Sequence, residues 1–204
     1  MTISERRKKS PKRIAIIDAA TDEFLKNGFS GTSMDRIAES ANVSKRTVYD
    51  HFPSKDDLFQ AIIDAILAKV DEMPSHEYDE QAPLEDQLLA IGLTFASTIT
   101  SPDFMKMSRV VIARFIQVPE WGHHTNRAYD RLRRDMTELF QVAGRDGRLQ
   151  VTDPEMAASQ FCGLIKEIVF WPQLMAGQRP SSERELESVV SSAVEMFLDH
   201  YQVR

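Results

Sequence analysis

Residues 31–59 constrain the fold of this chain more than any other stretch, because they predict two short helices joined by a tight turn. Ser33 has a hydroxyl that can cap the first of these helices. Its apolar positions recur at helical spacing: Met34, Ile37, Ala38 and Ala41. Asn42 stands where the chain must reverse, and asparagine tolerates a left-handed backbone better than most non-glycine residues. A helix, a turn and a second helix are therefore expected between residues 33 and 52.

The second predicted helix begins at its cap, Ser44, and runs to about Phe52, where Pro53 stops it. Val48 and Phe52 are four residues apart and so share its inward face. The other face carries cations, hydroxyls and ring groups: Lys45, Arg46, Thr47, Tyr49 and His51. Cations and hydroxyls beside the amides of a helix N-terminus suit the phosphates and base edges of a DNA major groove. This face is the predicted DNA-reading surface.

The stretch resembles the DNA-binding domain of TetR-type transcriptional regulators. The matching residues are Gly31-Thr32-Ser33-Met34, Ile37-Ala38, Val43-Ser44, Tyr49, His51-Phe52 and Ser54-Lys55, with Leu58-Phe59 after them. Two positions depart from the family pattern. Asn42 stands where the family usually has Gly, and Arg46 stands where a small residue is common. Arg46 thereby becomes a candidate for reading base sequence. The predicted DNA-binding residues are Thr32, Ser33, Ser44, Lys45, Arg46, Thr47, Tyr49, His51 and Lys55.

Charge is unequally distributed along a chain whose total is −6. Residues 1–52 hold ten Lys and Arg against seven Asp and Glu, whereas the remainder holds fifteen against twenty-four. Only the amino-terminal part therefore favours a polyanion. It includes a basic arm of Arg6, Arg7, Lys8, Lys9, Lys12 and Arg13. We expect the arm to follow phosphates or enter a minor groove, the alternative being a solvated, disordered end.

The whole chain is predicted to be all-α, with about nine helices. Residues 1–53 would hold the arm and a three-helix DNA-binding domain, and 54–204 a helical domain for ligand binding and dimerisation. The first helix should bury Ile14, Ile17, Phe24 and Leu25 and stop at Asn27-Gly28. Later helices are expected over 54–71, 83–100, 102–118 and 120–144, then from 154 with a bend at Pro172, and after Ser182.

The carboxy-terminal half resembles the AefR-like ligand domain. The residues concerned are Arg109-Val-Val-Ile-Ala-Arg, Val118-Pro-Glu, Gly147-Arg-Leu, Asp153-Pro-Glu-Met-Ala-Ala and Phe161-Cys-Gly-Leu. The resemblance implies a repressor that dimerises through its last two long helices and binds a pseudo-palindromic operator. The last helix also has a broad apolar stripe that one subunit would not fully cover: Leu186, Val189, Val190, Ala193, Phe197 and Leu198.

A small, largely apolar effector is the implied ligand of that domain, and it would bind among the helices after the fourth. Large aromatic and methionine side chains suit such a ligand. The predicted lining residues are Phe104, Met107, Phe115, Trp121, Phe161, Phe170 and Trp171. Taken one by one, each of them is more often a core residue than part of a cavity wall. A regulator or activator that needs no ligand therefore remains an alternative.

An all-helical enzyme is the remote alternative, because the chain has no nucleophile elbow, phosphate loop or Cys-x-x-Cys motif. Glu120 and His123 have the spacing of a metal-binding pair, but no second pair follows. His123 and His124 are adjacent and would point about 100° apart on a helix. Neither a metal nor a cofactor is expected. The single Cys162, with no predicted signal peptide or membrane span, is consistent with a cytoplasmic protein.

Overall fold

The computed structural model describes residues 10–74 and 76–203, except for the side chains of residues 121–132. The described helices are α1 (Pro11–Gly31), α2 (Met34–Ser40), α3 (Lys45–His51), α4 (Lys55–Asp71), α5 (Leu84–Thr100), α6 (Pro102–Gln117), α7 (His123–Arg145), α8 (Pro154–Val169), α9 (Trp171–Ala176) and α10 (Glu183–Tyr201). An isolated antiparallel bridge joins Leu149 to Gln202, and the described residues form no β-sheet. The all-α prediction is confirmed.

Most helix starts lie where the sequence predicts a cap. The Asp153 side chain accepts from the amide of Met156 at 2.9 Å at the start of α8. Ser182 and Glu185 form a reciprocal capping box at the start of α10. Such oxygens satisfy amides that the first turn of a helix leaves without partners. Hydrogen bonds from Arg179 and Ser182 lower the pKa of Glu185 to about 2, so this capping carboxylate is charged at neutral pH.

Several predicted boundaries are shifted. The helix expected from residue 120 begins instead as a 3₁₀ turn over Pro119–Gly122, and α7 starts at His123. Lys12 and Arg13, assigned to the arm, lie in the first turn of α1, whereas Arg6, Arg7, Lys8 and Lys9 fall outside the described residues. The bend near Pro172 is confirmed, because α8 ends at Val169 and α9 begins at Trp171.

The inward face of α1 is only partly as predicted. Ile17 and Phe24 are buried, but Ile14 is 51 % exposed and Leu25 41 % exposed. The other apolar side chains that this helix buries are Ile16, Ala19 and Ala20. Gly28 has φ 71°, a left-handed value that breaks the helical path at the predicted stop and that glycine adopts without strain.

The first of two compact units contains the residues up to 68 and residues 106–122. It therefore includes α1–α3, most of α4 and most of α6. Its fully buried side chains come from each of the first four helices: Ile16, Ile37, Val48, Phe52, Leu58, Phe59 and Ile62. The predicted boundary at residue 53 separates DNA binding from ligand binding and dimerisation, and it stays a prediction. In the packing of the structure, most of α4 belongs with the helices before it.

The second unit contains residues 69–105 and the chain from 123 onward. Its helices α5, α8 and α10 pack against one another, and α7 packs on α8. An aromatic cluster fills this core, with Phe140 stacked on Phe197 at 4.5 Å between ring centroids and Phe161 edge-on to both. A Cβ built at Gly92 of α5 would lie 2.7 Å from the Val190 Cγ1 atom of α10. The absence of a side chain at Gly92 lets these two helices approach closely.

The apolar stripe predicted for a partner on the last helix is mostly covered within the chain. Leu186, Val190, Ala193 and Phe197 are buried, and only Val189 and Leu198 are half-exposed. Most of the stripe is therefore core, whereas Val189 and Leu198 stay partly uncovered, and their cover by a partner remains a prediction. An amphipathic helix packed on a core buries its most apolar stripe first, so the stripe alone does not identify an interface.

Cys162 lies in the same core, with its Sγ atom 3.4 Å from the Met136 sulfur. Burial raises the pKa of the Cys162 thiol to about 11. The thiol is therefore protonated at neutral pH and packs as a small apolar group.

Candidate nucleic-acid interface

Three hydroxyls of the predicted DNA surface set the starts of α2 and α3. The Ser33 Oγ atom accepts from the Arg36 amide at 3.2 Å, and Ser44 Oγ accepts from the Thr47 amide at 3.1 Å. The hydroxyls of Ser44 and Thr47 also bond to each other, at 2.8 Å. The capping predictions for both helices are confirmed. The contacts of these hydroxyls with phosphates remain predictions. The same side chains already position the helix ends.

The turn between α2 and α3 has the predicted geometry. Asn42 has φ 51°, and among the described non-glycine residues it alone has a positive φ. Its amide donates to the carbonyl of Glu39 at 3.0 Å, and the Val43 amide donates to that of Ala38 at 3.0 Å. Asn42 therefore performs the conformational task for which glycine is usual, with a modest cost in strain.

The two cations in the first turn of α3 have different surroundings. Lys45 Nζ lies 2.7 Å from a carboxylate oxygen of Asp35 and 6.0 Å from the centre of the Tyr49 ring. The hydrogen bond and charge of Asp35 raise the pKa of Lys45, which stays protonated. Arg46 is 91 % exposed, and its Nε atom is 4.0 Å from Asp50, one turn away. Of the two cations, Arg46 is the more exposed, so its guanidinium is more available to a base edge than the Lys45 ammonium is.

Thr32 does not present its side chain to DNA. Its residue is 3 % exposed, and its hydroxyl lies within hydrogen-bond distance of the carbonyls of Glu23 and Gly28, at 3.0 and 2.9 Å. The end of α1 has free carbonyls that need donors, and Thr32 supplies one. We therefore correct its assignment as a DNA contact, because the side chain fastens the end of α1.

Lys55 is also engaged within the chain. Its ammonium donates to the carbonyls of Phe29 at 2.6 Å and Thr32 at 2.8 Å, and lies 4.5 Å from the centre of the Phe29 ring. Two of its three donors are thus used by the backbone at the end of α1. The structure assigns it a contact that the sequence pattern did not predict.

Tyr49 and His51 complete the predicted surface. Tyr49 is 42 % exposed, whereas His51 is half-buried beside Phe52, with 6.3 Å between their rings. Arg13 lies over the same Phe52 ring, 4.8 Å from its centre, which places the first turn of α1 near the end of α3. The contact of Arg13 with the Phe52 ring and that of Asp35 with Lys45 were not predicted from the sequence, although the charges of Arg13 and Asp35 were visible in it.

Comparison with protein-family models identifies both parts of the chain. Residues 16–62 match the model for bacterial regulatory proteins of the tetR family. Residues 86–203, more than half of the chain, match the AefR-like transcriptional repressor C-terminal domain. The chain belongs to the TetR family. Members of this family are transcriptional regulators that bind DNA, not enzymes, and this protein is one of them.

Relatives of this TetR-family protein match either over most of its length or over one short segment. The transcriptional regulator YhgD of Bacillus subtilis is 23 % identical over 90 % of this chain and 92 % of its own. RutR of Escherichia coli is 47 % identical over 58 residues, which are 28 % of this chain and 27 % of RutR. The high identity over so short a segment is typical of a shared DNA-binding module.

Solved structures agree. A TetR-family regulator from Pseudomonas syringae pv. tomato is 37 % identical and covers 96 % of this chain and 100 % of its own, with a TM-score of 0.80. The flavonoid-responsive regulator FrrA is 27 % identical over 95 % of this chain and 98 % of its own, with a TM-score of 0.74. The predicted architecture, a helix-turn-helix domain followed by a helical domain, is confirmed.

The predicted effector-lining residues do not form one cluster. Phe104, Phe170 and Trp171 follow one another in edge-on ring contacts, at 6.4 and 5.1 Å. Phe161 is fully buried in the separate aromatic core described above. Of the remaining members, Met107 and Phe115 belong to the first unit, and the Trp121 side chain falls outside the described residues. The lining of an effector site therefore stays a prediction. The neighbouring rings of Phe104, Phe170 and Trp171 support it better than the fully buried Phe161 does.

Among the described residues, no group of three or more His, Cys, Asp or Glu side chains is placed to hold a metal ion. The side chains of His123 and His124 are outside the described set. No single described helix is long and apolar enough to cross a membrane, although α5 and α6 together pass on length and composition with a 65° bend between them.

Proposed function

We propose that this TetR-family protein is a repressor that binds a pseudo-palindromic operator as a homodimer and leaves it when a small, largely apolar effector binds. The observation that carries the DNA-binding part is the first turn of α3. Its start is capped by Ser44, and Arg46 extends from it with 91 % exposure. An arginine in this position can reach a guanine edge while the capped helix end holds its register. Acting on chromosomal DNA would place the protein in the cytoplasm.

Dimerisation is proposed through the exposed apolar residues of α8 and α10. Ile168 of α8 is 57 % exposed and Met196 of α10 is 56 % exposed. Ile168 and Val189 line a surface pocket of about 320 Å³ between the end of α8 and the start of α10. A helix from a second copy would cover these residues and place two recognition helices about 34 Å apart, one helical turn of DNA.

Replacing Ile168 with Glu should weaken the dimer about tenfold or more, because a carboxylate would have to lose its hydration in an apolar contact. Sedimentation over a range of concentrations gives the dissociation constant. Ile14→Glu is the matched control, since Ile14 is 51 % exposed on α1 and lies outside the proposed surface. Equal dissociation constants for the wild type and Ile168→Glu would remove this face as the interface.

Operator binding is tested by fluorescence anisotropy with labelled DNA from upstream of the protein's own gene. We expect affinity about a thousandfold above that for a scrambled duplex, and a log–log loss of affinity with salt. Equal affinity for both duplexes would contradict operator recognition. A transcription assay on the same DNA then decides the sign, because a repressor lowers the yield of transcript and an activator raises it.

Effector release is tested by adding compounds to the bound complex. FrrA is described as flavonoid-responsive, so flavonoids are a sensible first set, with long-chain aliphatic compounds as the second. Loss of anisotropy at saturating compound supports a ligand-released repressor. The tight packing of Phe161 between Phe140 and Phe197 favours the alternative, a regulator without a ligand, for that part of the domain. An unchanged complex with every compound would support this alternative.

A further inference from the structure

The ring of Phe29 lies where three helices of the first unit meet. It follows the break in α1 at Gly28, and two cations contact it. Lys55 Nζ, from the first residue of α4, is 4.5 Å from the ring centre, and the guanidinium carbon of Arg114, from α6, is 4.0 Å from it. Phe59 adds an edge-on contact at 5.8 Å. Each of the two cations is attracted to the Phe29 ring, since the face of an aromatic ring carries negative charge.

The hydrogen bonds of Lys55 extend this contact toward α2. Its ammonium bonds the carbonyl oxygens of Phe29 and Thr32, which belong to the segment between Gly28 and the cap of α2. Thr32 immediately precedes Ser33, whose hydroxyl caps α2. A displacement of Lys55 would therefore release the backbone that sets where α2 begins, and α2 packs against the recognition helix α3.

Helix α6 contacts the Phe29 ring through the guanidinium of Arg114. Among the described residues the Nε atom of Arg114 is buried without a hydrogen-bond partner, and the guanidinium to which it belongs lies over the Phe29 ring. Two turns earlier on α6, Lys106 Nζ is 2.7 Å from a carboxylate oxygen of Asp22 on α1. α6 is thus fastened to α1 at two places on one face.

We propose that Lys55 and Arg114 are positioning residues for DNA binding, acting together on the Phe29 ring to hold the end of α1 and the start of α2. This inference rests on the proposed DNA-binding function and specifies how α4 and α6 hold the reading helices. It assigns Lys55 to the protein's own backbone instead of a phosphate. It also gives α6 a direct contact with the segment that precedes the recognition module.

The test measures operator affinity at several salt concentrations for the full-length variants Lys55→Met, Arg114→Met and Phe29→Leu. We expect each to bind about fivefold more weakly at every salt concentration, with the salt slope of the wild type, because no phosphate contact is lost. Lys26→Met is the matched control, an exposed lysine of α1 that should bind as the wild type does. A slope reduced by about 0.9 in Lys55→Met would overturn the proposal for Lys55, since that change indicates a lost phosphate contact.

A double-mutant cycle separates positioning from general damage. The Arg114→Met effect should disappear in the Phe29→Leu background, because the ring is what Arg114 contacts, and Arg114→Lys should restore most of the affinity. Additive effects, or no rescue by Lys, would overturn the assignment of Arg114. If the wild type itself did not distinguish operator from scrambled DNA, the proposed function would fail. The same cycle on melting temperature would then decide whether the ring contact exists.

Discussion

Replacing Arg46 with Ala should change the base preference of the protein by about 5- to 150-fold at one position of each half-site. A bidentate arginine–guanine pair discriminates by about 1–3 kcal/mol, which corresponds to this range. The side chain is 91 % exposed in the first turn of α3, and its nearest ion-pair partner, Asp50, is 4.0 Å away. The departure of this position from the small residue common in the family makes it the place where this protein would differ from its relatives.

The measurement is a selection from a randomised DNA pool with the wild type and with Arg46→Ala, followed by titration of the selected sites. Lys45→Ala is the comparison. It should weaken binding to all sequences alike and lower the salt slope by about 1 if Lys45 contacts a phosphate. Identical selected sequences for the wild type and Arg46→Ala would show that Arg46 does not read a base.

Replacing Gly92 with Ala should destabilise the second unit by about 2 kcal/mol, a typical cost of overpacking a core. The added Cβ would lie 2.7 Å from Val190 Cγ1 and 3.3 Å from the Phe161 ring. Both neighbours are fully buried. Val190 is β-branched, and on a helix it has little rotamer freedom with which to move aside. The expected result is a lower denaturation midpoint with an unchanged dependence on denaturant.

Gly163→Ala is the matched control, because it is a glycine inside α8 whose Cβ would meet no atom within 4 Å. There the same change should stabilise by about 0.5–1 kcal/mol through helix propensity. Adding Val190→Ala to Gly92→Ala should recover part of the loss, since it removes the closest contact. Gly92→Ala as stable as the wild type would mean that α5 and α10 approach less closely than described.

Local signals in the sequence were sufficient for most of the fold. The caps at Ser33 and Ser44 and the left-handed Asn42 depend on neighbours within four residues, which the sequence displays. The bend at Pro172 is similarly local, because proline lacks the amide that a continuous helix needs. Boundaries moved by a few residues where no cap was present, as at the 3₁₀ turn before α7.

Contacts distant in sequence were not predictable in the same way. Lys55 matched a motif on an exposed helix start, but its ammonium bonds carbonyls 23 and 26 residues earlier. Thr32 also matched the motif, yet its hydroxyl turns back toward α1. A motif indicates which residues recur, whereas the fold decides which atoms they meet. The side chains of the predicted DNA surface that are not engaged with the end of α1 are those on α3 and the caps, and their contacts with DNA remain predictions.

The stripe on the last helix shows a related limit. Helical periodicity correctly grouped Leu186, Val190 and Phe197 on one face, but periodicity cannot tell a core from an interface. Of that stripe only Val189 and Leu198 are half-exposed, and the more exposed apolar side chains, Ile168 of α8 and Met196 of α10, lie outside it. The aromatic residues chosen for an effector site scattered for the same reason, because residue type alone does not place side chains together.

The ion pair between Lys45 and Asp35 has a consequence for how quickly the protein abandons the wrong DNA. Lys45 already has a carboxylate 2.7 Å away, so a phosphate can engage it only by competing with that carboxylate. The exchange offers less gain than a phosphate would give a lysine surrounded by water, and it leaves Asp35 facing a polyanion. Weaker hold on arbitrary backbone shortens each unproductive visit. If Lys45 and Arg46 make their predicted contacts, a carboxylate on the reading surface would thus favour search speed and leave selectivity to the neighbouring arginine.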